Sequence, residues 1–120
     1  MPPHVSAHIS ADSMPDFMSK QVLQARRFYL EAEVRDSSPL AVVCVGWEKC
    51  ARDYRIDRET FPFLSVEFVA AGRGHLEIDG TQHELKAGSL FAYGPGVRHR
   101  MRTDPTELLD KYFVDFSGSR

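Results

Sequence analysis

From Leu40 to the carboxyl end, apolar and polar residues alternate in short runs, and each run closes on glycine, proline or charge. LAVVCVGW is β-branched and apolar, and DYRIDR alternates. Leu64 to Ala71 is apolar at both parities, which predicts a strand covered by protein on both sides. HLEID alternates again with Leu76 and Ile78 on one face, and Asp79-Gly80 supplies the positive-φ residues of a tight hairpin into TQHELK. Ala87-Gly88 turns the chain into SLFAY, and Gly94-Pro95-Gly96 forces a sharp corner. In RHRMRT, His99 and Met101 share one face while Arg98, Arg100 and Arg102 share the other; Asp104-Pro105 is a loop and LLDKYFVDF closes the series.

Upstream the pattern weakens. VLQARRFYL, within Gln21 to Glu33, fits a short helix or a strand over so few residues, and we read it as strand. Residues 1–19, with prolines at 2, 3 and 15 and no sustained apolar period, suit a flexible arm, with a short turn after Ser13-Met14-Pro15. Seven or eight short strands with glycine and proline corners predict an all-β fold, a closed or double-sheet antiparallel barrel in residues 20–120.

Composition narrows the function classes. The 120 residues make one small domain, long enough to bury a core without disulfide staples. A net charge of −2, with a pI near 6.2 and scattered basic residues, gives no autonomous grip on nucleic acid or an acidic membrane. The two cysteines, Cys44 and Cys50, match neither a redox nor a zinc spacing and read as reduced structural thiols. With no long apolar run and no secretion signal, a cytoplasmic location is expected and no membrane partner.

The candidate chemistry centres on Glu67. Phe61, Phe63, Ser65 and Glu67 have one parity, so on a straight strand they line one face and set a carboxylate among aromatics. A buried carboxylate needs a partner, and His99 and Arg58 are the candidates. Two readings stay open: a satisfied core ion pair with a corner histidine, or a polar spot in an apolar small-molecule cavity. Arg58 is itself either a surface ion-pair member with Asp57 or Glu59, or a guanidinium fork for vicinal hydroxyls or a carboxylate. Trp47, near Cys50 in GWEKCARDY, is a secondary candidate for ligand contact beside the plainer role of rim packing. The arginines at 98, 100 and 102 form a solvated stripe or a docking face. Leu64, Val66 and Phe68, opposite Glu67, need cover from a second sheet, an appended helix or a partner subunit. No serine sits in a nucleophile elbow, and no cysteine comes with a histidine and an orienting carboxylate.

GSLFAYGPGVRH resembles the second conserved motif of the cupin superfamily, with Gly88 opening it, Gly96 at the corner and His99 at the ligand position. The wider pattern of Arg58, VEFVAAGRG, GPGVRHRMRTDP and KYFVDFSG resembles the N-terminal effector-binding and dimerisation domain of AraC-type bacterial transcription regulators, over roughly residues 40 to 118. The resemblance implies a cupin-like jelly-roll barrel that binds a small effector, often a sugar, forms a homodimer, and controls DNA through a helix-turn-helix domain not present in this chain. It also suggests that the arm folds over bound ligand.

By the same resemblance, Arg58 stands where an arginine contacts the effector in such regulators and Phe113 where an aromatic stacks on a sugar. Met101 replaces a polar aromatic, which puts arabinose in doubt. The proline of the second motif is displaced to Pro95. Metal-dependent cupins take two histidines and a glutamate from their first motif; here Glu67 matches but Phe61 and Phe63 occupy the histidine places. Glu67 and His99 alone fall short of the three protein ligands a catalytic site uses, and His83 is two strands away. The expectation is therefore a non-enzyme without cofactor, with effector contacts from Arg58, Phe61, Phe63, Glu67, His99, Met101, Phe113 and Trp47. The alternative is a small metal-dependent cupin enzyme, an isomerase or oxygenase, using Glu67, His99 and a third ligand.

Overall fold

The computed structural model describes residues 4–8, 20–31 and 41–118, and these contain ten strands and no helix. In chain order they are β1 (His4–His8), β2 (Val22–Glu31), β3 (Ala41–Cys50), β4 (Arg55–Arg58), β5 (Leu64–Ala71), β6 (Gly74–Ile78), β7 (Thr81–Leu85), β8 (Leu90–Tyr93), β9 (His99–Thr103) and β10 (Asp110–Ser117). The ambiguous VLQARRFYL segment is strand β2. Of the expected arm, His4–His8 pairs antiparallel with β2; residues 9–19, including the turn expected after Ser13-Met14-Pro15, lie outside the described residues.

Two antiparallel sheets result, one of six strands in the order β1-β2-β3-β10-β5-β8 and one of four in the order β4-β9-β6-β7. The alternation read from the sequence explains the smaller sheet directly. Ile56, Leu76 and Met101 point inward from β4, β6 and β9, while Arg55, His75, Arg100 and Arg102 point to solvent. Tyr54, Leu85, Val69, Cys50 and Leu109 complete a core between the sheets. Burying such side chains contributes roughly 1.5–3 kcal/mol each, which makes this cluster the main source of cohesion. Both cysteines are free and buried, and burial pushes each thiol up to about 12.

Two turns position the rest. Asp79 (φ 46°) and Gly80 (φ 83°) take the left-handed conformations that a two-residue hairpin needs, joining β6 to β7. Gly96 (φ 79°) makes the corner that delivers His99 to the start of β9, and its amide donates to the Thr60 hydroxyl at 2.8 Å.

The larger sheet departs from expectation. β5 was read as covered on both faces, yet Leu64 and Phe68 are 41% and 42% exposed, as is much of Leu90, Tyr112 and Phe28. The outer face of this sheet exposes large apolar side chains beside Arg26 and Gln24, and its inner face carries buried charges beside Val69, Tyr93 and Phe113.

Candidate functional site

The inner face of the six-stranded sheet brings Arg27 of β2, Glu48 of β3, Lys111 of β10 and Glu67 of β5 together as a buried chain of alternating charge. Arg27 donates to Glu48 at 2.8 Å, the Lys111 ammonium lies 3.0 Å from the other oxygen of Glu48, and it also donates to Glu67. The Tyr93 hydroxyl donates to the second oxygen of Glu67. Lys111 further lies 5.0 Å from the centre of the Tyr54 ring, a cation over an aromatic face. Burial alone would raise the Glu48 carboxyl, but Lys111 and Arg27 outweigh it and hold the group below its ordinary range. Burial likewise opposes the Lys111 charge, and Glu67 with its neighbours raises that ammonium well above its usual value. Both shifts describe groups kept ionised by each other.

Glu67 accepts hydrogen bonds from Lys111 and Tyr93, neither of which the sequence singled out as its partner. Lys111 was not singled out because a lysine in a mostly apolar closing strand, KYFVDF, gives no sign of its own that it is buried. In the fold the parity of Lys111, Phe113 and Asp115 is buried. Pairing the strands sets Lys111 opposite Glu48 on β3 and one inward position from Glu67 on β5, which is the signal that sequence alone lacks.

Above this chain sits an aromatic cluster. His99 stacks on Tyr93 with ring centres 3.9 Å apart, and Phe61 meets His99 at 6.4 Å and Tyr93 at 5.4 Å, edge to face. Phe63 lies 6.2 Å from Phe61, and the Arg58 guanidinium carbon stands 4.8 Å over the Phe61 ring. Phe61 and Phe63 precede β5, in a bend, but keep the inward parity expected of them. Arg58 is directly opposite His99 across β4 and β9, which is what brings the guanidinium to the cluster. Burial lowers the His99 imidazole below its ordinary value, with Arg58 acting in the same direction and the Val97 carbonyl and Glu67 opposing. At neutral pH the ring is neutral; its Nδ1 is 3.2 Å from the Val97 carbonyl, and its buried Nε2 has no partner among the described residues.

The remaining expected contacts divide. Phe113 is directly opposite Glu67 on the inner face, its ring over Gly46, where a Cβ would lie 2.9 Å from it. Met101 is inward but packed in the apolar core with Leu76 and Leu109. Trp47 is on the other side of the sheet, opposite Tyr112, and donates its indole hydrogen to Asp110. The structure thus gathers Arg58, Phe61, Phe63, Glu67, His99 and Phe113, and leaves Trp47 apart. The arginine stripe is partly ion-paired: Arg98 reaches Glu59 at 2.8 Å and Asp57 at 3.6 Å, and Arg100 reaches Asp57 at 3.4 Å.

A metal of the kind cupins carry does not fit this donor set. Both oxygens of Glu67 are engaged by an ammonium and a phenol, and two phenyl rings stand where imidazoles would be required. Among the described residues no three histidine, cysteine, aspartate or glutamate side chains gather as ligands. None of the described residues forms a helix long and apolar enough to cross a membrane.

Comparison with known proteins agrees with the architecture. The chain is similar in structure to the plu4264 protein from Photorhabdus luminescens, at 16% identity and a TM-score of 0.60, over 90% of this chain and 83% of that one. It is also similar to a cupin 2 conserved barrel domain protein from Salinispora arenicola CNS-205, at 22% identity and a TM-score of 0.55, over 77% and 73% of the two chains. A salicylate 1,2-dioxygenase variant from Pseudoaminobacter salicylatoxidans matches at 17% identity and a TM-score of 0.56, over 77% of this chain but 25% of the enzyme. At these identities the likeness establishes the fold, a cupin barrel. A search of the curated proteins returns no match. In sequence, the family model of the AraC-like ligand binding domain matches residues 42–120. That span takes in the aromatic cluster and every member of the buried charge chain except Arg27, and the chain belongs to the AraC-like ligand binding domain family.

Proposed function

We propose that this domain senses a small polar effector, a sugar or a related ring-shaped molecule, in a cytoplasmic AraC-type regulator, and that it does so without catalysis. The observation that carries the reading is the cluster of Arg58, Phe61, Phe63, Tyr93 and His99. It sets a guanidinium fork and an unpartnered imidazole nitrogen beside aromatic faces. A fork that bonds paired oxygens, over rings that stack on a sugar's apolar face, suits such a ligand. Glu67 enters the site indirectly, by holding the Tyr93 hydroxyl. Self-association as a homodimer, and control of DNA through a helix-turn-helix domain of the same regulator, follow from the family resemblance. The exposed apolar face of the large sheet supports the first of these.

The test is thermal shift and calorimetric titration against a panel of sugars and small carboxylates, with wild type and Arg58→Ala. One or more members should stabilise the wild type. Losing a charged hydrogen-bond donor should weaken that binding by about tenfold or more. No stabilisation by any member would remove the sensing role. The enzyme reading is favoured by the presence of a dioxygenase and a predicted oxalate decarboxylase among the similar structures. Stoichiometric metal in protein purified without chelator, lost in His99→Ala, would establish it.

A further inference from the structure

The solvent face of the four-stranded sheet is concave and holds a cavity of about 360 Å³, lined chiefly by Arg55, Asp57, His75, Glu77, Arg100 and Arg102. Its charges fall into two rows across the strands. In one row Asp57, Arg100 and Glu77 are directly opposite one another on β4, β9 and β6, so the signs alternate and Arg100 bonds Asp57 at 3.4 Å. The next row sets Arg55 opposite Arg102, and Arg102 opposite His75. Like charges at directly opposed positions repel, and a sheet keeps them at a cost. Among the described residues neither Arg55 nor Arg102 has a carboxylate within ion-pair distance. Glu84, beyond His75 on β7, is 3.6 Å from Arg73. One side of the cavity therefore carries charges of alternating sign, and the other is cationic without a counter-charge within ion-pair distance.

We propose that this outer cavity is a second ligand site, separate from the aromatic cluster inside the barrel, for a small polyhydroxylated oxyanion. The phosphate or carboxylate end lies between Arg55 and Arg102 with His75 as a further donor, since two guanidinium forks on adjacent strands offer paired donors to an anion's oxygens. The hydroxyl end faces Glu77 and Gln82, which bond each other at 2.9 Å and leave acceptor and donor capacity for hydroxyls. An anion in the cavity also relieves the repulsion within the cationic row, which supplies binding energy that an isolated surface arginine lacks.

The experiment is backbone amide NMR on the 120-residue protein, titrated with inorganic phosphate, gluconate and glucose 6-phosphate at fixed ionic strength. Saturable shifts are expected at the amides of Arg55, His75 and Arg102 with at least one probe. Phosphate alone distinguishes recognition of the anion from recognition of the polyol. Arg55→Gln and Arg102→Gln, both at exposed positions that the fold does not depend on, should each weaken binding by tenfold or more. Arg98→Gln, outside the cavity lining, should leave it within twofold. The proposal is overturned if no probe gives saturable shifts there, if the two glutamine variants bind as wild type does, or if shifts are confined to Tyr93 and His99. The last result would leave the interior site standing and abolish the outer one.

Discussion

The two faces of the six-stranded sheet exchange the usual roles of inside and outside. Toward the barrel interior they present Arg27, Glu48, Glu67, Lys111 and Asp115, all buried; toward solvent they present Phe28, Leu64, Phe68, Leu90 and Tyr112, all well exposed. The four-stranded sheet keeps the ordinary arrangement, with Ile56, Leu76 and Met101 inside and arginines outside. The contrast shows that cohesion and specificity are divided between the sheets. The smaller sheet closes the apolar core, and the larger one contributes a polar interior whose charges must satisfy each other. Such an interior confers little net stability, because desolvation offsets much of the Coulombic attraction, but removing one member is costly.

The largest effect should therefore come from Lys111. Lys111→Met leaves Glu67 and Glu48 without their shared cation and should cost about 3–5 kcal/mol, lowering the melting temperature by roughly 10 °C or more. Changing Glu48 and Glu67 to Gln in the same chain should recover much of that loss. A single variant melting with the wild type would mean that the interior charges are not coupled as described.

Asp115 sharpens the comparison next, since it is a buried inward carboxyl whose charge burial opposes. Burial pushes its carboxyl up to about 7, with Ser65 and Arg58 opposing and Glu67 reinforcing, and its Oδ1 has no partner among the described residues. The folded chain therefore holds this proton up to about pH 7, whereas the unfolded chain releases it near 3.8. Between those values the folded state binds more protons, so the group's contribution to stability falls as pH rises through the window and is at its least above 7. Asp115→Asn should gain on the wild type across that window, by on the order of 2–4 kcal/mol at its upper end. Denaturant midpoints at pH 4 and pH 7.5 measure it, and an unchanged difference between the two proteins would refute the assignment.

The smallest effect on folding should come from the other face. Phe68→Glu with Leu90→Glu removes exposed apolar surface and should change monomer stability by about 1 kcal/mol or less. If that face mediates self-association, sedimentation should show the dimer dissociating at concentrations where the wild type stays paired. An unaltered association constant would place the interface elsewhere.

How far the sequence could be read follows the same division. The smaller sheet was legible because its alternation obeys the ordinary rule, and the Asp79-Gly80 hairpin and the Gly96 corner are where turn chemistry requires them. The extent of β5 was legible too, from turn residues at its far end. The polar interior was not. Nothing in KYFVDF marks its lysine as buried, and only the placement of β10 between β3 and β5 shows that Lys111 lies between two glutamates. Arg27 was hidden in a segment too short for periodicity to classify, and Tyr93 was read as one more strand aromatic. Glu67, His99, Phe61 and Arg58 were singled out by residue type, and they converge, with Tyr93 as the intermediary between Glu67 and the rings.

Tyr93 makes the mouth of the cup and its ionic floor a single connected object. On the proposed function, an effector that displaced His99 would act on the phenol stacked against it, and so on the contact between that phenol and Glu67. Glu67 leads on to Lys111 in the middle of the large sheet and to Glu48 one strand further on. The ring cluster and an ion pair three strands from Tyr93 in the large sheet are thus parts of one contact chain.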